Sequence, residues 1–239
     1  MVNKVTTQNI IAVIPAAGVG RRMGANLPKQ YLKILGKTIL EHTILKLISV
    51  KQISRIVVAA SKSDPYIADI IKPYSDVITL VEGGQERADS VLAGLNAIEA
   101  SANTWVLVHD AARPCVLTAD INNLISQCIK LERGGILASP VADTMKRDDG
   151  NLNISKTEQR KGMWHAYTPQ MFKLLELKQA ISKGLANQAE ITDEASAMEY
   201  IGKPVLLVES NNCNIKVTRP DDLALAEFFL QKSIESNKE

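Results

Sequence analysis

The chain has 239 residues, of which 46% are hydrophobic, enough to bury a sizeable core in one large domain or two small ones. A formal net charge of +2, with acids and bases interspersed, excludes the bulk basic field that nucleic-acid binding calls for. The three cysteines (Cys115, Cys128, Cys213) are scattered without metal or disulfide spacing, no secretion signal opens the chain, and no apolar run approaches the ~18 residues of a membrane span, so a soluble, cytoplasmic protein is expected.

Residues 10–15 predict a buried strand, short, β-branched and apolar on both faces. The strand runs into a loop ending at Pro28-Lys29-Gln30, in which three of the chain's 13 glycines fall between residues 18 and 24 beside Arg21 and Arg22. Thr38 is placed to cap a helix over 39–48, and 53–60 reads as the second strand. Asp64-Pro65 opens a short helix to about Ile71, and 77–81 is a third strand ending in Gly83-Gly84. A helix over 86–98 aligns Ala88, Val91, Leu92, Leu95 and Ile98 on one face. The fourth strand, 105–108, leads to His109-Asp-Ala-Ala-Arg-Pro114; Thr118 or Asp120 then starts a helix, and 134–139 is the fifth strand.

The alternation breaks after Pro140. Residues 143–162 are polar and charged, with Asp148-Asp-Gly-Asn151 as a turn signal between two short strands. A segment of that length is either functional or an arm that contacts another chain. Alternation resumes with a strand over 164–168, a helix over 171–183, and a second helix marked by a cap and first-turn acid in the run from Thr192 to Tyr200. Strands at 205–208 and 214–217 and a helix over 221–230 close the chain. The fold class is α/β: one domain with a mostly parallel sheet, helices on both faces, and an inserted β-arm.

In such a sheet ligands bind beyond the carboxyl ends of the strands. The unusual clusters fall there, at 18–29, 83–90, 110–113 and 216–219. Two phosphate-loop templates fail on spacing. The glycines run Gly18-x-Gly20-x-x-x-Gly24 rather than G-x-G-x-x-G, Pro28 interrupts any helix begun there, and no G-x-x-x-x-G-K-[ST] occurs. Lys29 follows Pro28, where the chain is stiff and a side chain can be aimed. Arginine's planar fork and lysine's compact charge together suit a polyphosphate, although a plain glycine turn with solvated arginines has the same spacing. Asp110, flanked by Ala111 and Ala112, can hold Mg²⁺ while the metal keeps waters and phosphate oxygens; an ion pair with Arg113 is the alternative. The Gly83–Ser90 stretch allows close backbone approach and offers a hydroxyl to read a base edge, or is an ordinary turn. His109 reads as structural.

Taken together, Pro15-Ala-Ala-Gly-x-Gly-x-Arg-Met, Pro28-Lys-Gln-Tyr31, Gly83-Gly-x-x-Arg87-x-x-Ser90, Val108-His-Asp-Ala-Ala-Arg-Pro114, Asp143-Thr144 and Ile215-Lys-Val-Thr form an ordered set. The set resembles the 2-C-methyl-D-erythritol 4-phosphate cytidylyltransferases of the non-mevalonate isoprenoid pathway, from about Ile10 to Phe229. The resemblance implies a Rossmann-like nucleotidyltransferase domain over 1–239 and a homodimer built around a protruding arm at 143–162. It implies catalytic roles for Arg22, Lys29 and Lys216, and nucleotide contacts from Ala16, Ala17, Gly18, Gly83, Ser90, Asp110 and Ala111. Asp110 would bind Mg²⁺ or another divalent cation, and Arg113, Thr144, Arg160 and Thr168 would hold the polyol phosphate. Small-molecule substrates, CTP and a polyol phosphate, are expected, with neither nucleic acid nor membrane as partner. A ribitol-5-phosphate cytidylyltransferase is the nearest alternative, and a non-catalytic nucleotide-binding regulator a more distant one.

Overall fold

Residues 8–18, 27–99, 101 and 103–236 are described by the structure, a computed structural model. In the first half of the chain the elements are β1 (Asn9–Pro15), β2 (Lys33–Ile34), β3 (Lys37–Thr38), α1 (Ile39–Ile48), β4 (Ile53–Ala60), α2 (Ile67–Ile71), β5 (Ile78–Glu82), α3 (Arg87–Asn96) and β6 (Thr104–Val108). The second half adds α4 (Thr118–Leu131), β7 (Gly135–Pro140), β8 (Met145–Asp148), β9 (Ile154–Glu158) and β10 (Trp164–Lys173). It closes with α5 (Leu174–Ala186), α6 (Glu194–Tyr200), β11 (Leu206–Glu209) and α7 (Asp221–Ser236).

A seven-stranded sheet runs β5-β4-β1-β6-β10-β7-β11, parallel except for β10, which is antiparallel to both its neighbours. The mostly parallel α/β fold expected from the alternation is present. Strand periodicity divides the core. Ile10, Ala12, Ile14, Trp105 and Leu107 pack with α1, α2 and α4 on one face, while Ile11, Val13, Val106 and Val108 pack with α3, α5 and α6 on the other. Full burial of each such aliphatic side chain contributes about 1.5–3 kcal/mol. Thr38 caps α1 as expected, its Oγ1 accepting the Glu41 N–H at 3.1 Å. From β1 the chain builds outward through β4 and β5 and then crosses to β6 on the other side, so the sheet has its switch point between β1 and β6.

Two expectations need correction. β10 continues to Lys173, so 171–173 is strand and the helix begins at Leu174. Pro169 does not end the strand expected over 164–168: the pairing of β10 with β7 skips from Ala166 to Gln170, and the missing N–H falls in that irregularity. Met171 and Phe172 are then buried on opposite faces of the sheet. Residues 214–217 form no strand; they lie across the loop after β6, with the Val217 N–H donating to Ala112 O at 2.9 Å and Arg113 Nη1 donating to Asn214 O at 2.7 Å, and no ladder forms. The cap and first-turn acid expected for α6 are present: Asp193 Oδ1 accepts the Ser196 N–H at 2.9 Å, and Glu194 follows it. In the 143–162 segment, β8 and β9 pair as a separate antiparallel hairpin, with Leu152 94% and Ile154 66% exposed.

Candidate active site

The carboxyl ends of β1, β5 and β6 open on a cleft of about 320 Å³ beside the switch point. Its walls include Ala16, Ala17, Gly18, Lys29, Ser90, Asp110, Ala111 and Lys216. These sequence-predicted positions come from four separate stretches of chain. Gln85, Glu86, Arg87 and Thr218 also line these walls without having been singled out as ligand contacts, whereas Gly83 lies behind them, against Ala17. Arg22, together with Arg21, Gly20 and Gly24, lies outside the described residues.

The first wall is the start of the glycine loop. The Ala16 N–H donates to Ala59 O at 2.7 Å, and buried Gln30 donates through Nε2 to Ala16 O and Gly18 O, each at 3.1 Å. Lys29 opens a short 3₁₀ turn directly after Pro28 and is half-buried at the cleft; the Tyr31 hydroxyl, two residues on, donates to Asp64. Buried neighbours thus fix the backbone from which Lys29 projects.

The second wall is the turn from β5 into α3. A Cβ at Gly83 would come 2.7 Å from Ala17 Cβ and 3.0 Å from Ser90 Oγ, so only glycine permits this approach. Buried Ser90 accepts the Gly84 N–H at 3.1 Å and donates to Glu86 O at 3.1 Å. The hydroxyl therefore shapes the turn as well as facing the cleft.

Asp110 is the electrostatic centre. Its Oδ1 accepts Arg87 Nε–H at 3.0 Å and its Oδ2 lies 2.8 Å from Lys216 Nζ; Arg113 Nε stands 3.5 Å from Oδ2, too far for a hydrogen bond. Burial alone would raise its carboxyl pKa, but Arg87, Lys216 and Arg113 overcome this and hold it well below the usual carboxylate range. Behind it, Thr168 Oγ1 accepts the Asp110 N–H at 3.0 Å and sits 3.0 Å from His109 Nδ1. His109 Nε2 lies 3.1 Å from Arg113 O, which can only accept; Nε2 therefore carries the proton, and Nδ1 accepts from the Thr168 hydroxyl. His109 is fully buried, which pushes its pKa down to about 4, and the structural reading of this residue fits the neutral imidazole.

The remaining predicted residues lie elsewhere. Arg113 is buried beside Asp110, its guanidinium 5.1 Å from the centre of the Tyr167 ring. Thr168 is buried beneath Asp110, and its hydroxyl holds the Asp110 backbone and His109. Thr144 and Arg160 sit exposed in the arm segment, where Arg160 Nη1 donates to Ala142 O. The arm contributes no residue to the cleft lining. Arg87 and Glu194 are the pair that sequence reasoning missed as site residues. Arg87 donates from Nη1 to Glu194 Oε1 at 2.7 Å and from Nη2 to Oε2 at 3.1 Å. The glycine motif around residue 83 contains Arg87, but nothing local points to Glu194, 107 residues away.

Among the described residues no group of three His, Cys, Asp or Glu side chains converges on one point. The donor set fits a divalent cation held largely by a ligand's phosphates and water, with Asp110 giving one carboxylate oxygen. Among the described residues Oδ1 takes one hydrogen bond, from Arg87, which leaves it a second lone pair for such a cation.

Comparisons with known proteins agree over more than nine-tenths of the chain. The family model described as 2-C-methyl-D-erythritol 4-phosphate cytidylyltransferase (IspD) matches residues 10–232. A protein of that name from Photobacterium profundum is 53% identical over 230 residues, 95% of this chain and 98% of its own. Another, from Haemophilus influenzae, is 54% identical over 227 residues, covering 95% and 99%. Among solved structures, a 4-diphosphocytidyl-2C-methyl-D-erythritol synthase superposes with a TM-score of 0.82 at 36% identity, covering 93% of this chain and 99% of its own. The Francisella tularensis 2-C-methyl-D-erythritol 4-phosphate cytidylyltransferase gives 0.80 at 38% identity, covering 92% and 99%. The chain belongs to the 2-C-methyl-D-erythritol 4-phosphate cytidylyltransferase family.

Proposed function

We propose that the chain transfers CMP from CTP to 2-C-methyl-D-erythritol 4-phosphate, giving 4-diphosphocytidyl-2-C-methyl-D-erythritol and pyrophosphate. The observation that carries this is the meeting of Lys29, Lys216 and Asp110 in one cleft at the sheet's switch point. The nucleophile is a phosphate monoester, whose second pKa is about 6. It is ionised at neutral pH, and no general base is needed. The barrier is the approach of two anions in line at the α-phosphorus, a problem of position and charge. Lys29 and Lys216, with Arg22 from the glycine loop, neutralise the crowded oxygens and the departing pyrophosphate. Ala16, Ala17, Gly18, Gly83, Ser90 and Ala111 form the nucleotide pocket, where backbone groups read the base.

A divalent cation, when bound, polarises the phosphoryl oxygens as a Lewis acid, and Asp110 is the residue that would hold it. Arg113, Thr144 and Arg160 are assigned to the polyol phosphate, while Thr168, its hydroxyl engaged by the Asp110 N–H and His109, supports that wall from beneath. Thr144 and Arg160 reach it from the arm of a second copy, so the working molecule is a homodimer of single-domain chains joined through residues 143–162. No helix among the described residues is long and apolar enough to cross a membrane. A cytoplasmic site fits substrates as charged as CTP, which do not cross a bilayer unaided.

Pyrophosphate release from CTP and Mg²⁺, with each polyol phosphate offered separately, tests the assignment. Release with 2-C-methyl-D-erythritol 4-phosphate is expected. Release with ribitol 5-phosphate alone would move the chain to the sibling activity, and none with either would favour a nucleotide-binding regulator.

A further inference from the structure

We infer that Glu194 is a positioning residue for this reaction: through a forked pair with Arg87 it fixes the carboxylate of Asp110 that faces the cleft. The inference rests on the cytidylyltransferase reading for the role of Asp110 and on geometry for everything else. Glu194 is 1% exposed and lines no part of the cleft. Leaving water costs a carboxylate several kcal/mol, and a well-packed apolar side chain would serve stability as well or better. A charge buried there calls for a task beyond stability, and the arrangement of Arg87 supplies one.

The guanidinium is planar, so binding Glu194 with both terminal nitrogens fixes its plane and leaves Nε–H pointing in one direction. That direction is Asp110 Oδ1, at 3.0 Å. With Oδ1 held there, Oδ2 is turned to Lys216, at 2.8 Å. The carboxylate is clamped at both oxygens, and its plane is set from behind the cleft wall.

Glu194 stands on a rigid base. Gln170, buried on β10, donates through Nε2 to Asp193 Oδ2 at 2.9 Å, and its Oε1 accepts the Ala195 N–H at 2.9 Å. The residues on either side of Glu194 are thus tied to a central strand by one side chain. The orientation of the carboxylate runs from β10 through the start of α6 to Arg87 on α3 and on to Asp110 after β6. A side chain that steers another through such support is how a site keeps its geometry to fractions of an ångström.

Two variants and one spectroscopic signal test this. In Glu194→Gln, kcat should fall roughly 10–100-fold, the scale of losing an outer partner of a metal-site group, with the KM for CTP little changed. In side-chain ¹⁵N spectra the Arg87 Nε–H resonance, protected by Asp110 in the parent, should be lost to rapid exchange. In the double variant Arg87→Met with Glu194→Leu the buried pair becomes apolar but Asp110 loses its Arg87 partner, so the melting temperature should fall and kcat should drop at least as far as in Glu194→Gln. Parent-like kcat in Glu194→Gln or in the double variant would overturn the inference, and so would a fall in kcat of Glu194→Gln with the Arg87 resonance retained. A parent chain that releases no pyrophosphate would fail the functional reading instead, and the Arg87 resonance would still decide whether Glu194 acts on it.

Discussion

Lys29 and Asp110 face one cleft from different anchors, and the difference decides what each substitution should do. Lys29 stands half-buried on a stiff turn whose next two residues, Gln30 and Tyr31, are buried, so its backbone survives loss of the side chain. Lys29→Ala should lower kcat about 10²–10³-fold, the scale of one preorganised electrostatic group, without a matching loss of melting temperature. Steady-state kinetics beside a thermal melt checks this, and a near-normal kcat would remove Lys29 from the chemistry. His109 beneath Asp110 makes a different prediction. Its folded pKa of about 4 lies below the ordinary 6.5 because burial disfavours the imidazolium. Between those values the unfolded chain binds more protons than the folded one. The stability His109 contributes is therefore whole above pH 6.5 and is lost as pH falls toward 4, by roughly 3 kcal/mol. The Asp110 carboxyl, depressed by its cations, adds a further loss only below the ordinary carboxylate value near 3.9. Urea unfolding at pH 7.5, 5.5 and 4.5 should show this slope in the parent and a flatter one in His109→Gln.

The elements carry the site through close approach. At the β5–α3 turn the Gly83 N–H donates to Ala60 O at 2.7 Å, and Gly83 itself lies against Ala17 on the opposite wall. Gly83→Ala would drive a methyl into Ala17 and Ser90, which both line the cleft, overpacking worth about 1–3 kcal/mol. CTP affinity measured by calorimetry should fall roughly tenfold or more by that energy, and unchanged affinity would place the base elsewhere. Much of this scale was legible in the sequence. β1 declares itself by apolar residues on both faces, α1 by the cap at Thr38, and the cleft walls by glycines and charges just past strand ends. What the sequence hides is non-local. Nothing around Pro169 says that β10 enters the middle of the sheet antiparallel, because its neighbours β6 and β7 set that direction. Residues 214–217 are β-branched enough to read as a strand, yet they meet a loop instead of a strand edge. The Arg87–Glu194 pair needs two helices brought together across 107 residues.

At the scale of the whole molecule the arm stands apart from the cleft of its own chain. The cleft of one chain takes no lining from residues 143–162, while Thr144 and Arg160 sit exposed in that segment and its hairpin displays Leu152 and Ile154 to solvent. In a lone chain those apolar side chains have nothing to cover them, and Arg160 is committed to Ala142 O at the arm's base. If the arm serves the reaction, it does so by pairing chains and presenting these residues to a neighbour's cleft. Replacing Leu152 and Ile154 together by aspartate places two charges on the hairpin's apolar positions without touching the central sheet. Light scattering should then report a single-chain mass where the parent reports a pair. The KM for the polyol phosphate should rise about tenfold or more, because each charge-assisted hydrogen bond to its phosphate is worth ~1.5–3 kcal/mol. CTP should bind with parent affinity, since the cleft assigned to it is walled by the chain segments after β1, β5 and β6 and takes no residue from 143–162. Equal loss of both ligands would mean that the arm supports the fold of the cleft and supplies no contact of its own. A variant that remains paired with parent kinetics would place the chain–chain interface outside the hairpin tip.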